Sequence, residues 1–348
     1  LLARQGRTLQ LTGCCRMALA ADADTATLVE AIREVAGRTG WQRGTATLGL
    51  PLAHLFVRNL TLPFTSSRSI TQTLPFELEE QLIVPVDTLV TDFVPIGSTA
   101  EGGSQVIACA AEQGLLAELL AGLGTGLDPE VVTPATLALA ARVARDNPPG
   151  RQQLLAHLEG AAAVLMLIDG PRTLLCRRLP CAEPLLQGPA EAVDTLAGET
   201  VNDETVRMLA VAVERTVDLH RLESGEPFQP GGLVLTGPLA AIDGVRAVLT
   251  AALGLPAQPV DLAAAAGVTV AVPDDEWGGG RHYDAALALA LLGPEKRPGI
   301  NFRRGPFARP RSLFSSRQRL VAAAVAALAA AGLLGLLWSD LHRLQQRD

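Results

Sequence analysis

The sequence predicts an α/β fold of two related lobes followed by a single membrane-spanning helix. Three observations carry this reading. Strand-like and helix-like segments alternate through residues 1–299. A turn cluster, Asn147-Pro148-Pro149-Gly150, divides them, and the pattern restarts after it. An uncharged apolar run of nineteen residues then occupies 320–338. The 348 residues are enough for two or three packed lobes. Apolar residues make up 48% and aromatics only 3%, so the core must be built from Ala, Leu and Val. Disorder, a collagen-like chain and a disulfide scaffold are excluded by this composition.

In the first half, residues 8–19 read as extended and 27–38 as a helix, with Leu28, Ile32 and Val35 at helical spacing. Short strands follow at 45–50 and 54–60. Residues 67–83 are helical but interrupted by Pro75, which fits best as the first residue of a second helix. Glu77, Glu79 and Glu80 would then lie near the positive end of its dipole. Strands at 89–96 and 105–110 and helices at 112–123 and 134–145 complete this half.

In the second half, 153–158, 162–168 and 173–179 read as three strands turning at Asp169-Gly170-Pro171. A long helix is expected at 199–222, with Leu209, Val213 and Val217 on one face. A buried strand at 233–236 and helices near 241–253 and 283–292 follow. Three meandering strands, a helix, a strand and a helix make a ribonuclease-H-like lobe. The expected divisions are 1–149, the first lobe with an inserted subdomain, and 150–299, the second. A basic juxtamembrane segment (300–319), the span (320–338) and a short extracytoplasmic segment (339–348) follow.

At about 1.5 Å per residue the apolar run covers roughly 28 Å, close to the hydrocarbon thickness of a bilayer. Trp338 stands at its far edge, where indoles favour the interface. Six arginines and no acid lie in 303–319, among them Arg303, Arg304, Arg317 and Arg319, so residues 1–319 are expected on the cytoplasmic side of a bacterial inner membrane. The chain is expected to continue beyond residue 348, and its first strand to precede residue 1.

Net charge is −7, but residues outside 303–319 and 339–348 carry 21 basic against 34 acidic side chains. An acidic body argues against nucleic-acid binding, which needs a basic face. Lys296 is the only lysine, so no P-loop is present. Cys14, Cys15, Cys109, Cys176 and Cys181 are odd in number and fit a reducing compartment. No second cysteine pair stands at zinc spacing, and no metal site is expected.

Residues 58–92 read RNLTLPFTSSRSITQTLPFELEEQLIVPVDTLVTD. This stretch resembles the pilus assembly protein PilM and the type II secretion system protein L. Gly126-Leu127-Asp128-Pro129 with Val131-Val132, the helix containing Val213-Glu214-Arg215-Thr216, and Ile300-Asn301-Phe302-Arg303-Arg304-Gly305 ahead of the span resemble further family segments. The resemblance implies an actin-like cytoplasmic domain. It also implies an inner-membrane assembly platform of a type II secretion or type IV pilus machine that docks the cytoplasmic secretion ATPase. The implied partners are that ATPase, other inner-membrane platform proteins, the membrane and a second copy as a homodimer. The alternative is a PilM-like protein that binds or hydrolyses ATP.

An actin-like ATPase needs glycine turns for the phosphates and acids for the metal ion. Where the resemblance places the second phosphate turn stand Glu159 and Gly160, without the usual aspartate and small hydroxyl residue. Where it places the adenosine loop stand Thr236 and Gly237, and Pro238 there removes a backbone donor. These four residues read as a degenerate nucleotide site, so no catalysis and no obligatory cofactor are expected. Pro75, Phe76, Glu77 and Glu79 read either as a partner-docking surface or as a solvated helix face. Ile300, Asn301 and Phe302 resemble the Asn-containing apolar peptide that a separate membrane protein inserts into the PilM-family domain. Here they read either as a strap docked in cis, leaving Arg303 and Arg304 to lipid headgroups, or as a linker among Pro294, Pro298, Pro306 and Pro310.

Overall fold

The chain opens on an antiparallel hairpin, β1 (Leu2–Gln5) and β2 (Thr8–Leu11), in a computed structural model. The structure describes residues 1–309, apart from 7, 21–22, 43, 100–101, 125, 188–199 and 296–298, together with 324, 325 and 332. Helix α1 (Thr25–Arg38) starts at Asp24, whose carboxylate accepts the Thr27 N–H. Strand β3 (Thr47–Leu50) follows, then the inserted subdomain: β4 (Leu55–Leu62), α2 (Ser67–Glu79), β5 (Leu89–Ser98) and β6 (Ser104–Glu112). Its strands pair antiparallel in the order β4-β6-β5. Helix α3 (Gln113–Leu123), β7 (Val131–Pro134) and α4 (Ala135–Arg145) close the first half, with β7 parallel to β3.

Helix α2 runs unbroken through Pro75, where the sequence suggested a second helix starting. Ile70, Leu74 and Leu78 are buried with Leu60, Leu62, Val106 and Ala108 of the sheet beneath. That packing spans the proline on both sides and offsets its missing hydrogen bond, worth about 3 kcal/mol in an unsupported helix. Glu77 and Glu79 consequently lie in the last turn of α2, away from the dipole's positive end.

After the turn at Asn147, whose side-chain amide donates to the carbonyls of Arg151 and Gly170, the second sheet begins. It contains β8 (Gln152–Glu159), β9 (Ala162–Asp169) and β10 (Arg172–Pro180), then the short pair β11 (Leu186–Gln187) and β12 (Thr200–Val201) set apart from it. Helix α5 (Asp203–Ser224), β13 (Leu233–Thr236), α6 (Asp243–Leu253) and β14 (Ala257–Pro259) follow. The sheet order is β10-β9-β8-β13-β14, with β8, β9 and β10 antiparallel and β13 parallel to β8 and β14. This is the ribonuclease-H-like arrangement that the strand pattern predicts. Alternation divides β8 between two cores: Leu154, Ala156 and Leu158 face α5 and α6, and Leu155 lies in the core shared with α4.

The chain then crosses back to the first half. It forms α7 (Leu262–Ala265), β15 (Val268–Val270), α8 (Asp274–Trp277) and α9 (Asp284–Glu295). Strand β15 pairs parallel with β2, and Leu287, Ala288 and Leu291 of α9 pack with Leu11 and Leu139. The stretch after Val260 therefore belongs to first-half cores, where the sequence division at 150–299 gave it to the second lobe. Strands of three residues carry too little periodicity to show such a return.

Leu1–Phe307 is one compact unit with its own cores, and Ala308–Asp348 is a second. Nearly all of the run 320–338, with Arg317, Arg319 and Trp338, lies outside the described residues. Among the described residues no helix is long and apolar enough to cross a membrane.

Candidate functional site

Residues 300–304 lie in a slot between β5 and β7. Ile300 and Phe302 are 2% and 0% exposed and join the core that contains Val90, Ile107, Val132 and Leu137. Full burial of each side chain contributes about 2 kcal/mol. The backbone is matched as closely. The Asn301 N–H donates to Asp92 Oδ2 at 2.8 Å, and the Phe302 N–H donates to the Val132 carbonyl at 2.8 Å. The Asn301 side chain turns in both directions. Its Oδ1 accepts the Val132 N–H (3.1 Å) and the Arg303 N–H (3.0 Å), and its Nδ2 donates to the Glu130 carbonyl (3.4 Å). One asparagine thus supplies the bonds that a neighbouring strand would otherwise supply to the end of β7.

Two ion pairs close the slot. Arg303 Nη2 lies 2.9 Å from Asp128 Oδ1, with only 10% of the arginine side chain exposed. Arg304 Nη1 lies 2.8 Å from Oδ1 of the buried Asp92. These arginines, expected at lipid headgroups, are engaged by carboxylates of the body; an acidic slot mouth captures the first basic residues that leave it. Asp92 also accepts the Phe93 N–H. Burial pushes its carboxyl above the usual range, against the opposing pull of the Asn301 N–H, Arg304 and the Phe93 N–H.

The second group of predicted residues comes together at the ends of β8 and β13. Glu159 and Gly160 form the β8–β9 turn, where Gly160 has φ +30°. Burial raises the Glu159 carboxyl, with Arg178 opposing. Thr236 is fully buried against His157, Oγ1 to Nδ1 at 3.1 Å. Burial lowers His157 to about 4, so the ring is neutral. Gly237 has φ +89°, and a Cβ there would stand 2.7 Å from the Leu158 carbonyl oxygen, so the loop closes directly onto β8. Its N–H donates to Asp284 Oδ2 at 2.9 Å from the start of α9. Burial drives Asp284 up to about 7, with the Gly237 N–H and Arg281 pulling down and Asp261 pushing up.

Pro75, Phe76, Glu77 and Glu79 lie on α2, away from both groups. Phe76 is 68% exposed, and Ile83, just beyond the helix, is fully exposed.

Fold comparison places these sites on a known frame. No protein-family model matches the sequence, and no curated protein sequence matches it. Among solved structures, a chain of a PilM-PilN type IV pilus biogenesis complex superposes with a TM-score of 0.68 at 20% identity, covering 84% of this chain and 94% of that one. The body shares that fold. Lower similarity links it to the cytoplasmic domain of EpsL, an inner-membrane component of the type II secretion system of Vibrio cholerae. That match has a TM-score of 0.43 at 15% identity over 80% and 84% of the two chains. A protein of actin-like ATPase fold from Bacteroides thetaiotaomicron gives 0.41 at 10% identity over 77% and 83%. The PilM-PilN chain and the EpsL domain are both actin-like folds.

On this PilM-like frame the slot uses residues that sequence reasoning left out of the site: Asp92, Asp128, Glu130 and Val132. Asp92 carried a usable signal, an acid set inside the apolar strand Leu89–Ser98. Asp284 carried none, since an acid in the first turn of a helix is ordinary.

Proposed function

We propose that this chain is an assembly-platform component of a type II secretion or type IV pilus machine, anchored in the bacterial inner membrane by 320–338 and docking the cytoplasmic assembly ATPase. The observation that carries the reading is the seated strap, Ile300–Arg304, in the slot of a PilM-like body. A strap bonded at Asp92, Val132 and Asp128 fixes where the chain leaves the body. The cytoplasmic surface is then left for the ATPase, for other platform proteins and for a second copy.

The reading includes catalytic silence. A nucleotide would need the backbone donor of Gly237, which Asp284 occupies. The loop closes directly onto the Leu158 carbonyl, and Pro238 beside it has no backbone donor, so the site does not fit an adenosine. The test is co-purification of the body with the cognate assembly ATPase. A stable complex supports the platform reading. An isolated body that hydrolyses ATP and ignores the ATPase contradicts it.

A further inference from the structure

Strand β10 is an edge of the second sheet. Strand β9 pairs with one side of it, and among the described residues no strand pairs with the other. The outer edge is met at its start, where Asn59 of β4 donates to the Leu174 carbonyl at 2.6 Å. From Leu175 to Pro180 no backbone group of the described residues bonds it from outside. Beside this edge runs a groove of about 710 Å³, continued by a second of about 560 Å³ that shares Arg177, Arg178 and Leu219. Its far wall is helix α5. Met208, Val211, Arg215 and Leu219 recur there at three- and four-residue steps, flanking the stripe that packs on the sheet, and Met208 is 59% exposed.

An edge strand facing a helix across an open groove suits an extended chain, because the free N–H and C=O groups of the edge bond most fully to another strand. The length fits: Met208 to Leu219 covers about 16 Å of helix, the reach of about five extended residues. The register then gives each position a chemistry. Leu175 and Leu179 join Leu165 and Leu167 in the core under α5. Alternation puts Arg177 on that same face, and Cys176 and Arg178 on the other. A paired chain would set apolar side chains opposite Leu175 and Leu179 and acids opposite Arg177 and Arg178. Arg215, on the α5 wall, adds a third cation. Among the described residues no carboxylate lies within ion-pair distance of Arg177, Arg178 or Arg215. The groove's own acids stand toward its ends. Glu183, held by Asn202, and Glu204 lie beyond Pro180 and Met208, and Glu223 lies beyond Leu219.

We infer that the groove between β10 and α5 binds an extended acidic segment of another protein, which adds to the sheet as a strand with two apolar side chains flanking adjacent acids. The free edge sets the extended form, Leu179 and the α5 stripe set the apolar ends, and three arginines without carboxylate partners set the charge. The inference stands apart from the platform reading, since it uses no residue of the slot and needs no membrane span.

The probe is the peptide Thr-Val-Glu-Glu-Glu-Val-Thr, blocked at both ends and matched to the groove in either strand direction. It is titrated by fluorescence anisotropy onto residues 1–309, a unit with its own cores. Binding is expected to weaken as salt rises and to protect backbone amides of 175–179 from hydrogen exchange. The counterpart Thr-Val-Lys-Lys-Lys-Val-Thr should bind about tenfold more weakly. The double variant Arg177→Glu/Arg215→Glu should reverse that preference, by roughly tenfold each way. Leu219→Ser should weaken both peptides on their matched proteins. All three side chains are exposed, so thermal melts of the variants should match the wild type's. No binding of the acidic peptide, binding that leaves 175–179 unprotected, equal binding of the lysine peptide, or a second copy of the chain filling the groove in its place would each overturn the inference.

Discussion

The Asn301 N–H donates to the buried carboxylate of Asp92 across 209 residues of sequence, at 2.8 Å. The same carboxylate receives Arg304 and the Phe93 N–H, so one acid ties the chain's exit to the inserted subdomain. Asp92→Ala leaves three donors without their acceptor. The expected loss is about 2–3 kcal/mol in denaturant unfolding, with faster proteolysis at 300–309. Unchanged stability and unchanged cleavage would show that the strap is held by other contacts.

Ile300 and Phe302 fill the core beneath the strap. Replacing both with serine removes about 4 kcal/mol of apolar burial, seen as a marked fall in melting temperature. Single replacement of the exposed Phe76, by contrast, should leave the melt within about 0.5 kcal/mol of wild type. A double variant as stable as wild type would remove the strap from the account.

Asp284 and His157 titrate in opposite senses. Asp284 is raised from 3.8 to about 7, so its favourable contribution is complete below the unfolded value and is lost as pH rises through about 7. His157 is lowered from 6.5 to about 4, so its contribution is present above the unfolded value and is lost as pH falls toward about 4. The two oppose each other across most of that window, and the wild-type profile is expected to be shallow. Asp284→Asn isolates one of them. The variant should melt above wild type near pH 8, by a gap on the order of 3 kcal/mol, and the gap should narrow as pH falls and close below about pH 4. A gap independent of pH would mean that Asp284 carries no unusual proton.

Catalytic silence is tested on the purified body. Phosphate release should not exceed a blank. Turnover that Glu159→Gln abolishes would show that the β8–β9 turn does hold a working acid.

The topology reading concerns residues outside those described. A reporter fused after Asp348 should be active only when exported. Activity in the cytoplasm would defeat the assignment of 320–338 as a span.

Where burial is written as periodicity, the sequence was sufficient. The three strands Gln152–Glu159, Ala162–Asp169 and Arg172–Pro180 lie within a residue or two of their expected bounds, because alternating Leu and Ala sort cleanly onto two faces. Pro75 misled because propensity is local and the packing of Ile70, Leu74 and Leu78 is not. The return of β15 and α9 to the first half was hidden for the same reason: Val268–Val270 finds its partner, β2, some 260 residues earlier. In the slot, Ile300, Asn301 and Phe302 were legible through resemblance, whereas Asp128 and Glu130 act through a fold that brings distant carbonyls and carboxylates to one asparagine and one arginine.

The most direct measurement is hydrogen exchange at the Phe302 amide, which donates to the Val132 carbonyl. A strap seated in its slot predicts protection close to that of the β7 amides, lost in Asp92→Ala. Exchange at the rate of a free peptide in the wild-type chain would contradict it.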